Sequence, residues 1–136
     1  MRVSSQGERV IYGIGTDIVS IPRIAAMLAR HGERAAQRLL APVEMAVFLS
    51  HVDPARLLAK RFAAKEAFAK AVGTGMRVPV TFNNIAIRHN TLGQPQFELA
   101  AELQDWLDMR GIAASHLSIS DEVDTVVAFV IVERSA

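Results

Sequence analysis

Asp17, Glu66, Lys70 and His116 are the residues of this chain whose types and surroundings could do chemistry. Asp17 closes an apolar stretch in which Gly13 and Gly15 fall on its own face. Glu66 and Lys70 stand four residues apart in a segment otherwise filled largely by Ala, Phe and Val. His116, Ser118 and Ser120 alternate along a third stretch. Two carboxylates in a chain without cysteine suit a hard cation such as Mg²⁺, which takes one or two carboxylates and completes its shell with water and substrate phosphates. A nearby lysine would neutralise a phosphate oxygen. The combination points to phosphoryl-type transfer. Each residue also has a plainer reading. Glu66 and Lys70 could be a surface i,i+4 pair worth a few tenths of a kcal/mol. Asp17 could simply end a strand, its glycines marking a bulge or tight helix packing. A strand histidine can be no more than a satisfied hydrogen-bonding group.

The element that must position Glu66 and Lys70 runs from Arg61 to Gly75. Ala, Lys, Glu and Phe fill it, with no Gly or Pro before Gly73, so it reads as a helix. Gly73 is placed to stop it in the left-handed conformation. At about 100° per residue, Arg61 and Lys65 share one charged stripe, and Glu66 and Lys70 a second, roughly 140° away. The remaining surface is apolar, which marks a buried helix. One charged stripe therefore meets solvent and the other must be accounted for inside.

Asp17 needs a strand. Val10 to Val19 alternates, with Val10, Tyr12, Ile14, Thr16 and Ile18 on one face and Ile11, Gly13, Gly15, Asp17 and Val19 on the other. The glycines clear space beside Asp17 for a ligand or another backbone. Gly13 and Gly15 lack the third glycine and following helix start of a dinucleotide fingerprint. Ser20 reads as an N-cap with Pro22 in the first turn, opening a helix to about Arg30. Glu33 to Leu40 and Pro42 to Leu49 read as further helices, and Asp53-Pro54 as the start of the central one. Thr81 to His89 and Gln96 to Leu99 form a hairpin about a turn at Asn90 to Pro95. Ala100 to Arg110 is a helix with Gly111 after it, and Ser115 to Ser120 and Thr125 to Glu133 are two strands joined by an acidic turn. This order predicts an α+β fold, with an antiparallel sheet packed against helices.

With 136 residues the chain reads as one domain, residues 10–136, preceded by a polar extension, residues 1–9, without a signal-peptide core and expected to be disordered. Half the residues are hydrophobic (51%), yet no apolar run approaches the ~18 residues of a membrane span. The surplus apolar surface fits subunit interfaces. A net charge of +1 is too small to argue for nucleic acid. The absence of cysteine excludes disulfides, a thiol nucleophile and a cysteine-zinc site, and fits a reducing cytoplasm.

The run Ile11-Tyr12-Gly13-Ile14-Gly15-Thr16-Asp17-Ile18-Val19, the run Arg61-Phe62-Ala63-Ala64-Lys65-Glu66-Ala67-Phe68-Ala69-Lys70-Ala71, then Gly73-Thr74-Gly75 and His116-Leu117-Ser118, resembles holo-acyl carrier protein synthase in content and order. That family is the small bacterial type of 4′-phosphopantetheinyl transferase, and the likeness extends from about Ile11 to Glu133. The resemblance implies a 4′-phosphopantetheinyl transferase-like fold. It also implies transfer of the phosphopantetheine arm of coenzyme A to a serine of apo-acyl carrier protein in fatty acid biosynthesis. Adenosine 3′,5′-bisphosphate is released and Mg²⁺ is required. Asp17 and Glu66 match the metal ligands, and Lys70 the phosphate contact. Gly73 to Gly75 would lie near the nucleotide, and Arg61 and His116 near the coenzyme A phosphates. The helix after the first strand would dock the carrier protein through Arg23, Met27 and Arg30, arginines meeting an acidic helix. The family is usually a homotrimer with sites between subunits. The serine needs a base, for which Glu66, a water on the ion and His116 are candidates.

Three departures from related patterns matter. Val19 stands where larger transferases place a second acidic residue, leaving that position on the ion to water. Gly93-Gln94-Pro95 lacks the lysine common in the hairpin, and Asp121 replaces a second histidine. Two readings from other classes compete: a binding module that docks carrier protein or coenzyme A without transfer, and a trimeric interaction protein whose charges are buried pairs. Neither needs both carboxylates, and buried pairs are weak sources of stability.

Overall fold

The computed structural model describes residues 7–136. The elements in order are β1 (Arg9–Ser20), α1 (Ile21–His31), α2 (Glu33–Leu39), a 3₁₀ turn (Pro42–Glu44), α3 (Met45–Ser50), α4 (Pro54–Val72), a 3₁₀ turn (Phe82–Asn84), β2 (Ile85–His89), β3 (Pro95–Leu99), α5 (Ala101–Met109), β4 (Ile112–Asp121) and β5 (Thr125–Ser135). The first six residues of the expected N-terminal extension lie outside the described residues. Its last residue, Arg9, already pairs with Ser135.

The long strands form an antiparallel sheet in the order β1-β5-β4, and β2-β3 is a separate hairpin. α4 lies across the inner face of the sheet. Asp53 caps its start, its side chain accepting from the Arg56 amide, and Gly73 ends it at φ 86°. Inward-facing Val126, Ala128, Val130 and Val132 of β5 meet Ala63, Ala67 and Phe68 of α4, all almost fully buried. Leu103 and Leu107 of α5 and the hairpin's Ile85 and Ile87 close the far side of this core. Phe68 meets Phe97 edge-on at 4.9 Å, joining α4 to β3. Among the described residues, no helix is long and apolar enough to cross a membrane.

Gly13 and Gly15 are where β1 touches α4. A Cβ at Gly15 would fall inside the van der Waals sphere of the Ala67 carbonyl oxygen and 2.8 Å from the Ala71 amide nitrogen. A Cβ at Gly13 would overlap the Ala71 carbonyl. The space expected beside Asp17 is thus filled by helix backbone, the close-packing reading of these glycines. Backbone in a packed helix cannot step aside as a side chain can. Gly15→Ala is therefore expected to lift α4 from the sheet and cost about 2–3 kcal/mol. Gly93→Ala, in open space at φ 84°, is the comparison: it should cost only about 1 kcal/mol, for backbone strain. Urea unfolding of both variants measures the difference, and equal losses would refute the packing argument.

Alternation along β1 holds from Gly13 onward, but not before. Ile11 pairs with Glu133 and Gly13 with Val132, so Tyr12 is the extra residue of a bulge. The bulge moves Ile11 off the Asp17 face, where strict alternation puts it, and leaves it 63% exposed. The outer sheet face then carries Ile11, Ile14, Ile18, Val127 and Phe129, all exposed.

Candidate active site

The strand and the central helix bring Asp17, Glu66 and Lys70 together. Asp17 is on the inner face of β1, opposite Ala128, two residues beyond the glycine contact. Glu66 lies one residue before Ala67, whose backbone faces Gly15. Lys70 follows a turn later, its Nζ donating to the Thr16 carbonyl at 2.9 Å and to Asp17 Oδ1 at 3.2 Å. Asp17 is mostly buried and Lys70 half exposed. Partial burial raises the Glu66 carboxyl above the ordinary carboxylate range, the Asp17 charge raises it further, and Lys70 opposes both. Two like charges are thus held side by side with one flexible ammonium as counter-ion. A divalent cation would relieve that repulsion. Among the described residues, no group of three or more His, Cys, Asp or Glu side chains is placed to hold a metal. An ion here would have two carboxylates and complete its shell with water and phosphate oxygens, which suits Mg²⁺.

His116 is not part of this cluster. It pairs with Ile131 on β4, on the outer sheet face, with Ser118 and Ser120 beside it as alternation requires. Its Nε2 lies 2.9 Å from Glu133 Oε1. Asp17 faces the other side of the same sheet, so one copy of the chain does not unite the two. Gly73 and Gly75 close the far end of α4, roughly 18 Å along the helix axis from Arg61 at 1.5 Å per residue. Both have positive φ with open space around them.

The buried charged stripe of α4 is Arg61 and Lys65, which leaves Glu66 and Lys70 on the open side. Lys65 is fully buried, and its ammonium donates to Glu44 Oε1 at 2.6 Å, the Leu39 carbonyl at 2.8 Å and the Phe82 carbonyl at 3.0 Å. Burial lowers its pKa to about 8, against the opposing pull of Glu44. Arg61 is 5% exposed, its Nε 3.0 Å from Glu44 Oε2 but not aligned for a hydrogen bond. Glu44 also accepts from the Ala41 and Ile87 amides, both at 2.9 Å. This carboxylate joins α4, the 3₁₀ turn before α3 and the hairpin. Sequence reasoning missed it, though it is the one charged residue in the run from Leu39 to Ser50.

Arg61 also lines a cleft of about 650 Å³, with Arg56, Lys60, Arg88, His89 and Gly93 on its walls. Neither Asp17 nor Glu66 lines it. A second cleft, of about 540 Å³, holds His116 and shares Pro95 and Ile119 with the first. On α1, Arg23 and Arg30 are exposed and Met27 is half-buried. Met27 borders a cleft of about 530 Å³ with His31, Arg34 and Arg38. The last two arginines, four residues apart on α2, were not singled out from sequence.

Residues 13–127 match the family model described as the 4′-phosphopantetheinyl transferase superfamily. The chain is 55% identical to the holo-[acyl-carrier-protein] synthase of Nitrosomonas europaea over 92% of its length and all of that relative's. The chain belongs to this synthase family. It is an enzyme of that type, and the mixed fold of helices and antiparallel sheet is the family's. The crystal structure of the Neisseria meningitidis synthase is 53% identical and superposes with a TM-score of 0.90, covering 92% of this chain and all of that one. The Bacillus anthracis synthase, solved in complex with coenzyme A (3′,5′-ADP), is 36% identical with a TM-score of 0.74, covering 92% of this chain and 98% of that one.

Proposed function

We propose that this synthase moves the 4′-phosphopantetheine arm of coenzyme A onto a serine of apo-acyl carrier protein, in fatty acid biosynthesis in the cytoplasm. The observation that carries the reading is the Asp17–Glu66 carboxylate pair beside Lys70. Asp17 and Glu66 would hold Mg²⁺, which would supply charge neutralisation for the departing bisphosphate. The serine oxygen forms a bond to the phosphorus that carries the pantetheine arm. The bond from that phosphorus to the bridging oxygen breaks, and adenosine 3′,5′-bisphosphate leaves with the electron pair. Lys70 swings from Asp17 to a phosphate oxygen, a motion its exposure permits. The serine proton goes to a carboxylate or an imidazole, and Glu66 and His116 are the chain's own candidates. Positioning and charge neutralisation do most of the work in such transfers.

The nucleotide end of coenzyme A occupies the basic cleft of Arg56, Lys60, Arg61 and Arg88. Neither Asp17 nor Glu66 lines that cleft in one copy, and His116 lies on the opposite sheet face. Sites shared between copies would bring them together. The exposed apolar outer face of the sheet supports assembly, since contiguous patches of this kind mark interaction surfaces. A homotrimer is the assembly proposed. The carrier protein docks on α1 at Arg23, Met27 and Arg30, extended by Arg34 and Arg38, and weakens its hold as salt rises.

Intact-mass measurement of an apo-acyl carrier protein incubated with this chain, coenzyme A and Mg²⁺ tests the reading. A gain of one phosphopantetheine group that disappears with EDTA is expected. No gain from a folded sample on several carrier proteins would refute it.

A further inference from the structure

Two cations of the basic cleft, Arg56 and Lys60, already share an anion that stands just outside the cleft's lining. Asp121, at the end of β4, places Oδ2 2.6 Å from Arg56 Nη1 and Oδ1 3.6 Å from Lys60 Nζ. One carboxylate oxygen per cation is the arrangement a phosphate would adopt between the same two groups. The two cations are not equally committed. Arg56 also donates from Nε to Asp53 Oδ2 at 3.2 Å, from Nη1 to the Glu122 carbonyl at 2.9 Å and from Nη2 to the Val123 carbonyl at 2.8 Å. Those bonds tie it to the β4–β5 turn whatever the charge at position 121. Lys60 is partly exposed on the cleft wall and is drawn to the turn by Asp121.

We propose that Asp121 is an internal competitor for ligand phosphate. It holds Lys60 against the β4–β5 turn and fixes a negative charge beside Arg56. The cleft therefore binds a phosphorylated nucleotide more weakly than its cations alone would, and releases the bisphosphate product sooner. This rests on the reading that the nucleotide end of coenzyme A enters this cleft. Asp121 is thus an affinity-setting residue that ligand phosphate displaces from Lys60, with no part in bond making.

Calorimetric titration of the full chain with adenosine 3′,5′-bisphosphate and Mg²⁺ tests it. Asp121→Asn is expected to bind about tenfold tighter, the effect of removing one nearby like charge. Asp124→Asn makes the same charge change on the same turn and should leave affinity unchanged, which separates a local effect from net charge. Lys60→Ala should weaken binding, and Lys60→Ala combined with Asp121→Asn should lose most of the gain. If Asp121→Asn fails to fold, Asp121→Ser carries the same test. Lys60→Ala weakening binding while neither Asp121 variant tightens it would overturn the competitor role and leave the cleft assignment standing. Binding indifferent to Lys60 would overturn the cleft assignment and the proposal with it.

Discussion

Glu66→Gln is expected to fold at least as well as the parent chain and to lose about a thousandfold in transfer rate. The loss follows from removing one of the two carboxylates proposed to hold Mg²⁺, an effect of roughly 4 kcal/mol at the transition state. The retained fold follows from electrostatics. In the native chain Glu66 is partly buried beside Asp17, and its carboxyl is raised above the ordinary range. A carboxyl raised on folding contributes stability below its unfolded value and loses it as pH rises through the folded one. At neutral pH the ionised Glu66 therefore works against the metal-free fold, and a neutral amide removes that burden. Transfer kinetics and thermal melting without Mg²⁺ measure the two halves. Full activity in Glu66→Gln would keep the enzyme and discard the metal assignment. A lowered melting temperature would discard the electrostatic account.

The second large effect is on the fold. Glu44→Gln is expected to cost about 3–5 kcal/mol, because it leaves two buried cations, Arg61 and Lys65, without their shared carboxylate. Lys65→Met should cost less, since Glu44 then keeps Arg61. The double variant Glu44→Gln with Lys65→Met should be more stable than Glu44→Gln alone, the mark of a coupled pair. The pH dependence has a definite sign. Lys65 has its pKa lowered on folding to about 8. Its contribution is lost as pH falls through that value and recovers as pH rises toward the unfolded one, near 10.5. The deficit of Glu44→Gln should therefore shrink in alkaline buffer. Urea midpoints at neutral and alkaline pH decide the matter; a deficit below 1 kcal/mol, or one that grows with pH, would contradict the buried-pair account.

The features legible in the sequence were those written in local chemistry. Asp53-Pro54 and Gly73 carry the ends of α4, Ser20 the start of α1, and the alternation of His116, Ser118 and Ser120 the face of β4. The Asp17–Glu66–Lys70 cluster was legible because its residue types have few other joint uses. What was not legible depended on contacts between distant segments. The glycines of β1 could be placed on the Asp17 face, yet nothing local tells whether a ligand or a helix fills the space. Neither charged stripe of α4 announces which is buried, because the deciding partner, Glu44, lies 17 residues from Arg61 and 21 from Lys65. Its signal was a lone carboxylate in an apolar run. The bulge at Tyr12 left no signal in the alternation, only in the neighbouring Gly13, for which a bulge was one of the readings.

If copies assemble through the apolar outer face of the β1-β5-β4 sheet, as proposed, concentration becomes a property of the fold. Copies that cover this face on one another lower the free energy of the folded form by mass action, so folding and assembly become one equilibrium. In that assembly the exposed Ile14, Ile18 and Phe129 would do two jobs at once. They would hold copies together, and would decide whether a cleft in one copy ever meets a carboxylate pair in another. Dilution would separate copies that keep every residue of the site and yet lack a complete one, so catalytic competence would be set by abundance as much as by sequence.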